Sequence, residues 1–231
     1  MRAVLSTQEL KRSPRRRDPE VVSLKHLAAA VLLAGSCCAQ DWEFGAFIGD
    51  GAYKGGSVFS PDGTARAGIL NRFAAGVVFG EDLYEYVSGE VRYTYQDGHP
   101  YLKFNGVRTD IQGQSHTITY DLLFHFKPRE SKWRPFLAGG LGTKDYVIAG
   151  PAPFPQPIPN IATLNAADEW MLVESVGGGV KYRLQPHVLL RLDFRDYITT
   201  FPKAEITPAP HNTARGVFEQ FTPMFGVSYL F

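Results

Sequence analysis

The feature that most constrains this chain is a repeated alternation of apolar and polar side chains. Apolar residues occupy every second position from Ile118 to Phe126, and again from Leu190 to Phe194. Successive side chains of a β-strand leave opposite faces of the sheet, so a period of two indicates strands with one apolar and one polar face. Eight such runs follow Gln40, each of about nine to fourteen residues, the length of a tilted strand that crosses a bilayer.

The segments between the eight runs alternate between short and long. Bacterial outer-membrane barrels have short turns on the periplasmic side and long loops outside. The pattern therefore predicts an all-β fold, an eight-stranded antiparallel up-and-down transmembrane β-barrel with both termini in the periplasm. No window after Gln40 holds 18 consecutive apolar residues, which argues against a transmembrane helix. The expected turns are 81–83, 128–131 and 184–187, and the expected long loops are 49–66, 97–114, 144–169 and 200–215.

Alternation by itself also fits a soluble, lipocalin-like barrel, in which the apolar face lines the interior and the polar face contacts water. Here one face is charged and the other is heavily aromatic, with rings near the strand ends, where a membrane barrel has its aromatic girdles. The charged face is therefore expected to line the lumen. Eight strands enclose a space only just wide enough for side chains, so these charges are predicted to pair and close it. The predicted lumen residues are Glu90, Arg92, Asp121, His125, Arg191, Asp193 and Arg195.

The N-terminal segment has the order of a secretory signal peptide. Lys25 precedes an apolar run from Leu27 to Leu33, and small residues follow up to Ala39. This apolar run is too short to cross a bilayer as a helix, which needs about 20 residues, so cleavage is expected after Ala39. We therefore predict a signal peptide with a long basic N-terminal extension over 1–39 and an outer-membrane β-barrel over 40–231.

Two alternatives concern this N-terminal segment. Cys37 or Cys38 could carry a lipid, although the leucine that usually stands three positions before such a cysteine is missing. The long basic extension also fits a misassigned start, with translation beginning near Val21. Both cysteines of the chain lie in this segment, so the mature part is expected to contain no disulfide.

The charge of the mature part argues against one class of partner. Residues 40–231 hold 17 basic and 20 acidic side chains, a formal charge of −3. Nucleic-acid binding depends on a basic footprint that neutralises phosphates. Nucleic acid is therefore not expected as a partner.

The last residues of the chain are its most specific signal. Aromatic and aliphatic side chains alternate up to the terminal position at Phe225, Val227, Tyr229 and Phe231. With the segments 134–142, 178–184 and 191–195, this ending resembles the OmpA-type outer-membrane β-barrel domain family, and the resemblance covers roughly residues 41–231. It implies an anchored barrel that inserts with help from periplasmic chaperones and a barrel-assembly machinery, which reads the terminal phenylalanine and the alternating residues before it.

Motifs for enzymatic chemistry are missing from the sequence. It has no glycine-rich phosphate loop, no zinc-ligand spacing and no nucleophile elbow, so no cofactor or metal is expected. Ser115 and His116, with Asp110 upstream, suggest a lipase-like site at the barrel rim. Adjacent strand residues point to opposite faces, however, so Ser115 and His116 are not expected to act together.

These observations predict a non-enzymatic integral barrel of the bacterial outer membrane, with a structural or surface-interaction role through its long extracellular loops. Its expected partners are outer-membrane lipid, the assembly factors named above and an unidentified surface ligand at the loops. The sequence leaves two alternatives open. One is a small channel or transporter for ions or apolar molecules, and the other is a barrel enzyme that modifies lipid A.

Overall fold

The structure, a computed structural model, describes residues 41–148 and 150–231. The predictions for residues 1–39, a cleaved signal peptide with a basic extension and the alternative of a lipidated cysteine, lie outside the described residues. In the part of the chain that is described, no helix is long and apolar enough to cross a membrane.

Eight long antiparallel strands close into one barrel, which confirms the predicted fold class. Each barrel strand pairs with the next one along the chain, and the ring closes where the first strand pairs with the last, with Phe44 opposite Tyr229. The barrel strands are β1 (Trp42–Lys54), β4 (Arg72–Tyr84), β5 (Val87–Asp97), β8 (Gly113–His125), β9 (Trp133–Ile148), β11 (Asp168–Gln185), β12 (Val188–Thr199) and β15 (Phe218–Leu230).

The four long connections contain seven further strands and fold together. They are β2 (Ser57–Ser60), β3 (Gly63–Ile69), β6 (Pro100–Phe104), β7 (Val107–Asp110), β10 (Ala162–Leu164), β13 (Ile206–Pro208) and β14 (Thr213–Arg215). Five of them form a sheet in the order β14-β2-β3-β6-β7, and β10 pairs with β13. We call these seven strands and the loops that join them the cap.

The cap has its own hydrophobic core, which the sequence analysis did not anticipate. Val58, Leu102 and Ile206 are each 0% exposed within it, and the core continues onto the barrel rim through Tyr146 and Phe218. Three of the strands that contribute to this core are only four, seven and three residues long and mix apolar with polar or small side chains. Segments of this kind have too few alternating positions to be recognised as strands before the segments that cover them are known.

The first tight turn lies later than predicted. The sequence places it at 81–83, whereas β4 continues to Tyr84 and residues 85–86 form the turn. Asp82 suggests a turn in the sequence, but it points into the barrel, where Arg134 binds its carboxylate at 2.8 Å. The other two connections on this side are short, as predicted.

Strand β1 also reaches further than predicted. It ends at Lys54, inside the segment 49–66 that was expected to be a loop. Gly49 suggests a turn in the sequence, but here it allows a close approach between strands, because a Cβ at this position would lie 2.1 Å from the carbonyl oxygen of Pro223. The glycine is therefore required by strand pairing rather than by a turn.

The outer surface of the barrel is apolar. The outward side chains of Phe124 and Phe194 are 55% and 47% exposed, whereas the inward Arg92 and Arg195 are 1% and 0% exposed. Hydrocarbon lipid is the solvent that suits such an exterior. Aromatic side chains surround the barrel end that carries the short turns, the position of an aromatic girdle. The girdle consists of Trp42, Tyr84, Tyr86, Phe126, Trp133, Tyr182, Tyr229 and Phe231.

Candidate functional site in the barrel lumen

Ten charged side chains meet inside the barrel, five carboxylates and five cations, and none is more than 7% exposed. They come from seven of the eight barrel strands, because each occupies an inward position of the period-two pattern. We call this set the lumen network. It consists of Glu43, Asp82, Glu90, Asp121, Asp193, Arg92, Arg134, Lys181, Arg191 and Arg195.

Three arginines bind the carboxylate of Glu90 on β5. Its Oε1 accepts hydrogen bonds from Arg92 Nη2 at 2.7 Å and Arg195 Nη2 at 2.9 Å, and its Oε2 accepts one from Arg191 Nη2 at 2.9 Å. Arg191 also donates from Nη1 to Glu43 Oε1 at 2.7 Å. Strands β5 and β12 lie on opposite sides of the ring, so the contacts of Glu90 with Arg191 and Arg195 cross the lumen. Hydrogen bonds between two ionised groups are about twice as strong as neutral ones.

Two further ion pairs extend the lumen network. Asp193 Oδ2 accepts a hydrogen bond from Arg92 Nη2 at 2.9 Å, and Lys181 Nζ donates to Glu43 Oε2 at 2.5 Å. A buried charge without a partner destabilises a fold by several kcal/mol, so such pairing is a condition for holding these groups inside. The equal number of positive and negative groups meets that condition.

Two phenylalanine rings lie among the arginines. The Cζ atom of Arg92 is 4.7 Å from the ring centre of Phe47, and Cζ of Arg191 is 5.6 Å from that of Phe136. Both distances are within the range of cation–π attraction. Gly226 leaves the space for the first ring, since a Cβ there would lie 2.3 Å from Phe47 Cδ1. The rings fill the lumen between the charges with apolar volume.

A smaller cluster adjoins the lumen network around Ser88. The Ser88 hydroxyl donates a very short hydrogen bond to Asp82 and lies 2.8 Å from His125 Nε2. Arg134 Nη1 donates to both oxygens of Asp82, at 2.8 and 2.9 Å. A nucleophilic triad needs the imidazole between the hydroxyl and the carboxylate. Here the hydroxyl lies between the other two groups, so the cluster does not form a triad.

The structure buries all seven lumen residues predicted from the sequence. Six of them belong to the lumen network, whereas His125 contacts Ser88 instead. Asp121 is held least tightly, because its Oδ2 lies 4.0 Å from Arg195 Nε and accepts a hydrogen bond from Thr119 Oγ1 at 2.9 Å. Asp121 and His125 therefore have separate partners, although they share one face of β8.

Sequence reasoning missed four members of the lumen network. Glu43 is inward in the alternation of β1, but its inward neighbours are uncharged and gave no sign of an ionic face. Arg134 and Lys181 lie on glycine-rich strands whose faces the sequence did not settle, and Asp82 was assigned to a turn. Arg134 and Lys181 are directly opposite each other across β9 and β11. Two like charges directly opposite each other are stable only with acidic partners nearby. Knowledge of the strand register would therefore have indicated that Glu43 and Asp82 face the lumen.

Lys144 is a buried basic side chain apart from the lumen network and close to the cap. It is 0% exposed, and its Nζ donates to Gln220 Oε1 and, at 3.3 Å, to Tyr53 Oη. Nζ also lies 4.9 and 4.8 Å from the ring centres of Tyr53 and Tyr146. Among the described residues, no carboxylate lies within 4.0 Å of it. Aromatic rings and neutral acceptors thus surround its amino group.

The proposed assembly residues lie on the outer face of β15 and at its end. Phe225, Val227, Tyr229 and Phe231 are 48%, 48%, 49% and 64% exposed. The backbone N–H of Phe231 donates to the carbonyl of Trp42 at 2.9 Å, so the terminal residue is joined to the first barrel strand. Their role as an assembly signal stays a prediction.

Ser115 and His116 lie on opposite faces of β8, as the strand period requires. Ser115 Oγ is 3.3 Å from Tyr53 Oη on the inside, whereas His116 Nδ1 is 2.8 Å from Tyr93 Oη on the outside. Asp110 belongs to β7 of the cap. Across residues 41–148 and 150–231, no group of three His, Cys, Asp or Glu side chains is arranged to hold a metal ion.

The barrel mouth on the short-turn side has little free space. Two recesses there, both lined in part by Glu43, Asp82 and Lys181, measure about 20 and 10 Å³. A single water needs at least about 10–15 Å³ on this measure. Neither recess has room for a hydrated ion.

The cap contains a buried carboxylate at Glu205, which is 1% exposed. Burial raises the pKa of Glu205 from its usual 4.5 to about 8, and the neighbouring carboxylates of Glu169 and Asp145 contribute to the increase. The folded cap therefore holds a proton on Glu205 near neutral pH.

These features define a class of protein. A closed eight-stranded antiparallel barrel with an apolar exterior, an aromatic girdle and an ionic interior is the architecture of the small outer-membrane β-barrels of bacteria.

Comparison with solved structures agrees with this class. The chain is similar to Neisserial surface protein A, with a TM-score of 0.51 and 15% identity over 83% of this chain and 97% of that one. The N-terminal β-barrel domain of Pseudomonas aeruginosa OprF also matches, with a TM-score of 0.44 and 15% identity over 83% of this chain and 97% of that domain. No protein-family model and no curated relative matches the chain. The similarity to Neisserial surface protein A thus confirms the barrel fold expected from the OmpA-type resemblance.

Proposed function

We propose that this chain is a non-enzymatic integral protein of the bacterial outer membrane, with a lumen closed by paired charges and a structural or surface-interaction role that the cap performs. One observation carries the proposal. Five carboxylates and five cations, all buried, fill the interior of a barrel whose exterior is apolar.

Ion flow through the lumen would require several of these contacts to break together. Arg191 alone joins Glu43 and Glu90, at 2.7 and 2.9 Å, across the barrel interior. The interior of an eight-stranded barrel is filled by its side chains, so a displaced guanidinium has no free volume to move into. The lumen network therefore acts as a plug rather than as a selectivity filter.

The cap supports the same function from the other end of the barrel. Its hydrophobic core packs onto the rim through Tyr146 on β9 and Phe218 on β15. With residues 1–39 as the export signal and the short turns in the periplasm, the cap is at the cell surface. A folded surface of this kind is better suited to interaction with a partner outside the cell than to transport.

Single-channel recording in planar bilayers tests the closed lumen. The purified protein is expected to give no steady conductance. A double variant, Glu90→Ala with Arg195→Ala, removes a pair joined at 2.9 Å without changing the net charge, and is expected to produce measurable openings. Steady ohmic conductance of the unaltered protein would overturn the proposal in favour of a channel.

Two cell experiments test the location and the absence of enzymatic activity. Membrane fractionation and gels of boiled and unboiled samples are expected to show a heat-modifiable protein in the outer membrane, whereas a soluble barrel would remain in the periplasmic fraction. The lipid-A profile of expressing cells is expected to stay unchanged. A changed profile that reverts on His116→Ala would support the enzyme alternative instead.

A further inference from the structure

The exposed face of the five-stranded cap sheet carries a row of positive charges. In the strand register, Arg215 is opposite Ser57, Ser57 is opposite Arg66, Arg66 is opposite Lys103, and Lys103 is opposite Arg108. The four basic side chains are all exposed, so they share one face of the sheet. We call Arg66, Lys103, Arg108 and Arg215 the basic row.

The basic row has a defined length and spacing. Neighbouring strands lie about 4.8 Å apart, so the four strand-to-strand steps from Arg215 to Arg108 span roughly 19 Å. Like charges directly opposite each other destabilise a sheet. Within the described part of the chain, no carboxylate lies within 4.0 Å of any of these four cations. The four cations of the basic row therefore repel one another, and ion pairs within the described part of the chain do not offset this repulsion.

Aromatic rings lie on both sides of the row. Phe59 is two positions from Ser57 on β2, and Tyr101 is two positions from Lys103 on β6, displaced in opposite directions relative to Arg66. The guanidinium of Arg108 lies 4.4 Å from the ring centre of Tyr101, and that of Arg215 lies 5.8 Å from the ring centre of Phe59. These cation–π contacts orient the charges without neutralising them.

Two acidic side chains, Asp110 and Asp62, accompany the four cations of the basic row, so the patch keeps an excess of positive charge. Asp110 shares the exposed face beside Tyr101, but its carboxylate lies 3.9 Å from a ring nitrogen of His99. Asp62 lies in the turn that joins β2 to β3. The mature part as a whole is acidic, with a formal charge of −3, so the basic row is a local feature rather than a consequence of composition.

We propose that the basic row binds a linear anionic polysaccharide laid across the strands of the cap sheet. Its sulfate or carboxylate groups accept hydrogen bonds from the row, for which planar guanidinium groups are suited because they can bind two oxygens at once. The sugar rings pack on Phe59 and Tyr101. A row one charge wide across a sheet fits a single extended chain, whereas the duplex of a nucleic acid presents phosphates around a cylinder. The proposal names the ligand class for the surface role above and rests on the cap being at the cell surface.

Binding measurements on the full chain in phosphatidylcholine nanodiscs test this assignment. Heparin serves as the sulfated probe and polygalacturonate as the carboxylated one. The probe that binds with the higher affinity identifies whether sulfate or carboxylate groups are recognised. The double variant Arg66→Gln with Lys103→Gln is expected to weaken binding roughly 30-fold, from about 1 kcal/mol for each surface cation. It should also reduce the dependence of the affinity on salt.

A matched control removes two exposed lysines from the turn at the other barrel end, Lys127→Gln with Lys132→Gln, and is expected to leave binding unchanged. Phe59→Ala is expected to weaken binding severalfold without changing its salt dependence. All variants should retain heat-modifiable migration, which shows that the barrel is folded.

Three outcomes would overturn the proposal: no binding of either polysaccharide, equal losses in the row variant and the turn control, or tighter binding of duplex DNA or of anionic lipid vesicles than of both polysaccharides. Channel recordings test the plugged lumen separately. A conducting barrel that still bound polysaccharide through the row would refute the closed lumen and leave this proposal standing.

Discussion

Replacing Arg191 by methionine should destabilise the barrel strongly. The guanidinium is bonded to Glu43 at 2.7 Å and to Glu90 at 2.9 Å, and it is 1% exposed. Methionine keeps part of the volume but leaves five buried carboxylates facing four cations. Breaking a buried ion pair by removing one partner typically costs about 3–5 kcal/mol. We expect a loss of this size in the free energy of unfolding.

The matched control is Arg72→Met. Arg72 lies 3.8 Å from Asp97, and both side chains are more than a third exposed. Exposed pairs of this kind contribute about 0–1 kcal/mol. The two variants make the same chemical change in the same barrel, so the difference between them isolates burial and pairing from the loss of an arginine as such.

Urea unfolding in detergent micelles, followed by tryptophan fluorescence, measures both variants at one pH. The expected result is a large decrease in the midpoint for Arg191→Met at an unchanged slope, and little change for Arg72→Met. Adding Glu43→Gln to Arg191→Met restores the charge balance and should recover about 1–3 kcal/mol, since contacting residues couple by that amount. Losses within about 1 kcal/mol of each other for the two single variants would refute the argument that the lumen network stabilises the barrel through charge pairing.

Three other predictions address separate parts of the molecule. Lys144→Met should change the urea midpoint little or raise it, because none of the described carboxylates lies within 4.0 Å of Lys144 and because Tyr53 Oη still donates to Gln220 at 3.0 Å. A loss as large as that of Arg191→Met would contradict this. Glu205 stabilises the cap fully below pH 4.5, and this contribution is lost as the pH rises to about 8, because its pKa is raised in the folded state. Glu205→Gln should therefore increase the hydrogen-exchange protection of β13 relative to the unaltered protein at pH 8 and not at pH 4. If the variant and the unaltered protein were equally protected at both pH values, this would be evidence against a protonated carboxyl. Deleting Phe231 should sharply lower the amount of protein assembled in the outer membrane of expressing cells, whereas deleting one residue from the turn at 128–131 should lower it less; normal insertion without Phe231 would remove its role as a signal.

The sequence determined which side of each clear strand faces inward. Arg92 and Arg195 are buried and Phe124 is on the exterior, as the period of two indicated. This inference needs no knowledge of neighbouring strands, because alternation is a property of a single strand and each face must match its solvent. Strand number, and the division into short and long connections, followed from the same local pattern.

Which charges meet depends on how the strands are arranged in three dimensions. Glu90 and Arg191 are 101 positions apart and come together because the barrel closes with one particular register. The inward orientation of Arg134 and Lys181 could not be predicted, because the glycines on their strands have no side chains to continue the alternation. The cap also depends on distant segments, since β14 pairs with β2 across more than 150 residues. Alternation within a strand follows from the environment of its two faces and can be recognised in one segment. Contacts between strands depend on their register and on the closure of the barrel, and no single segment encodes either.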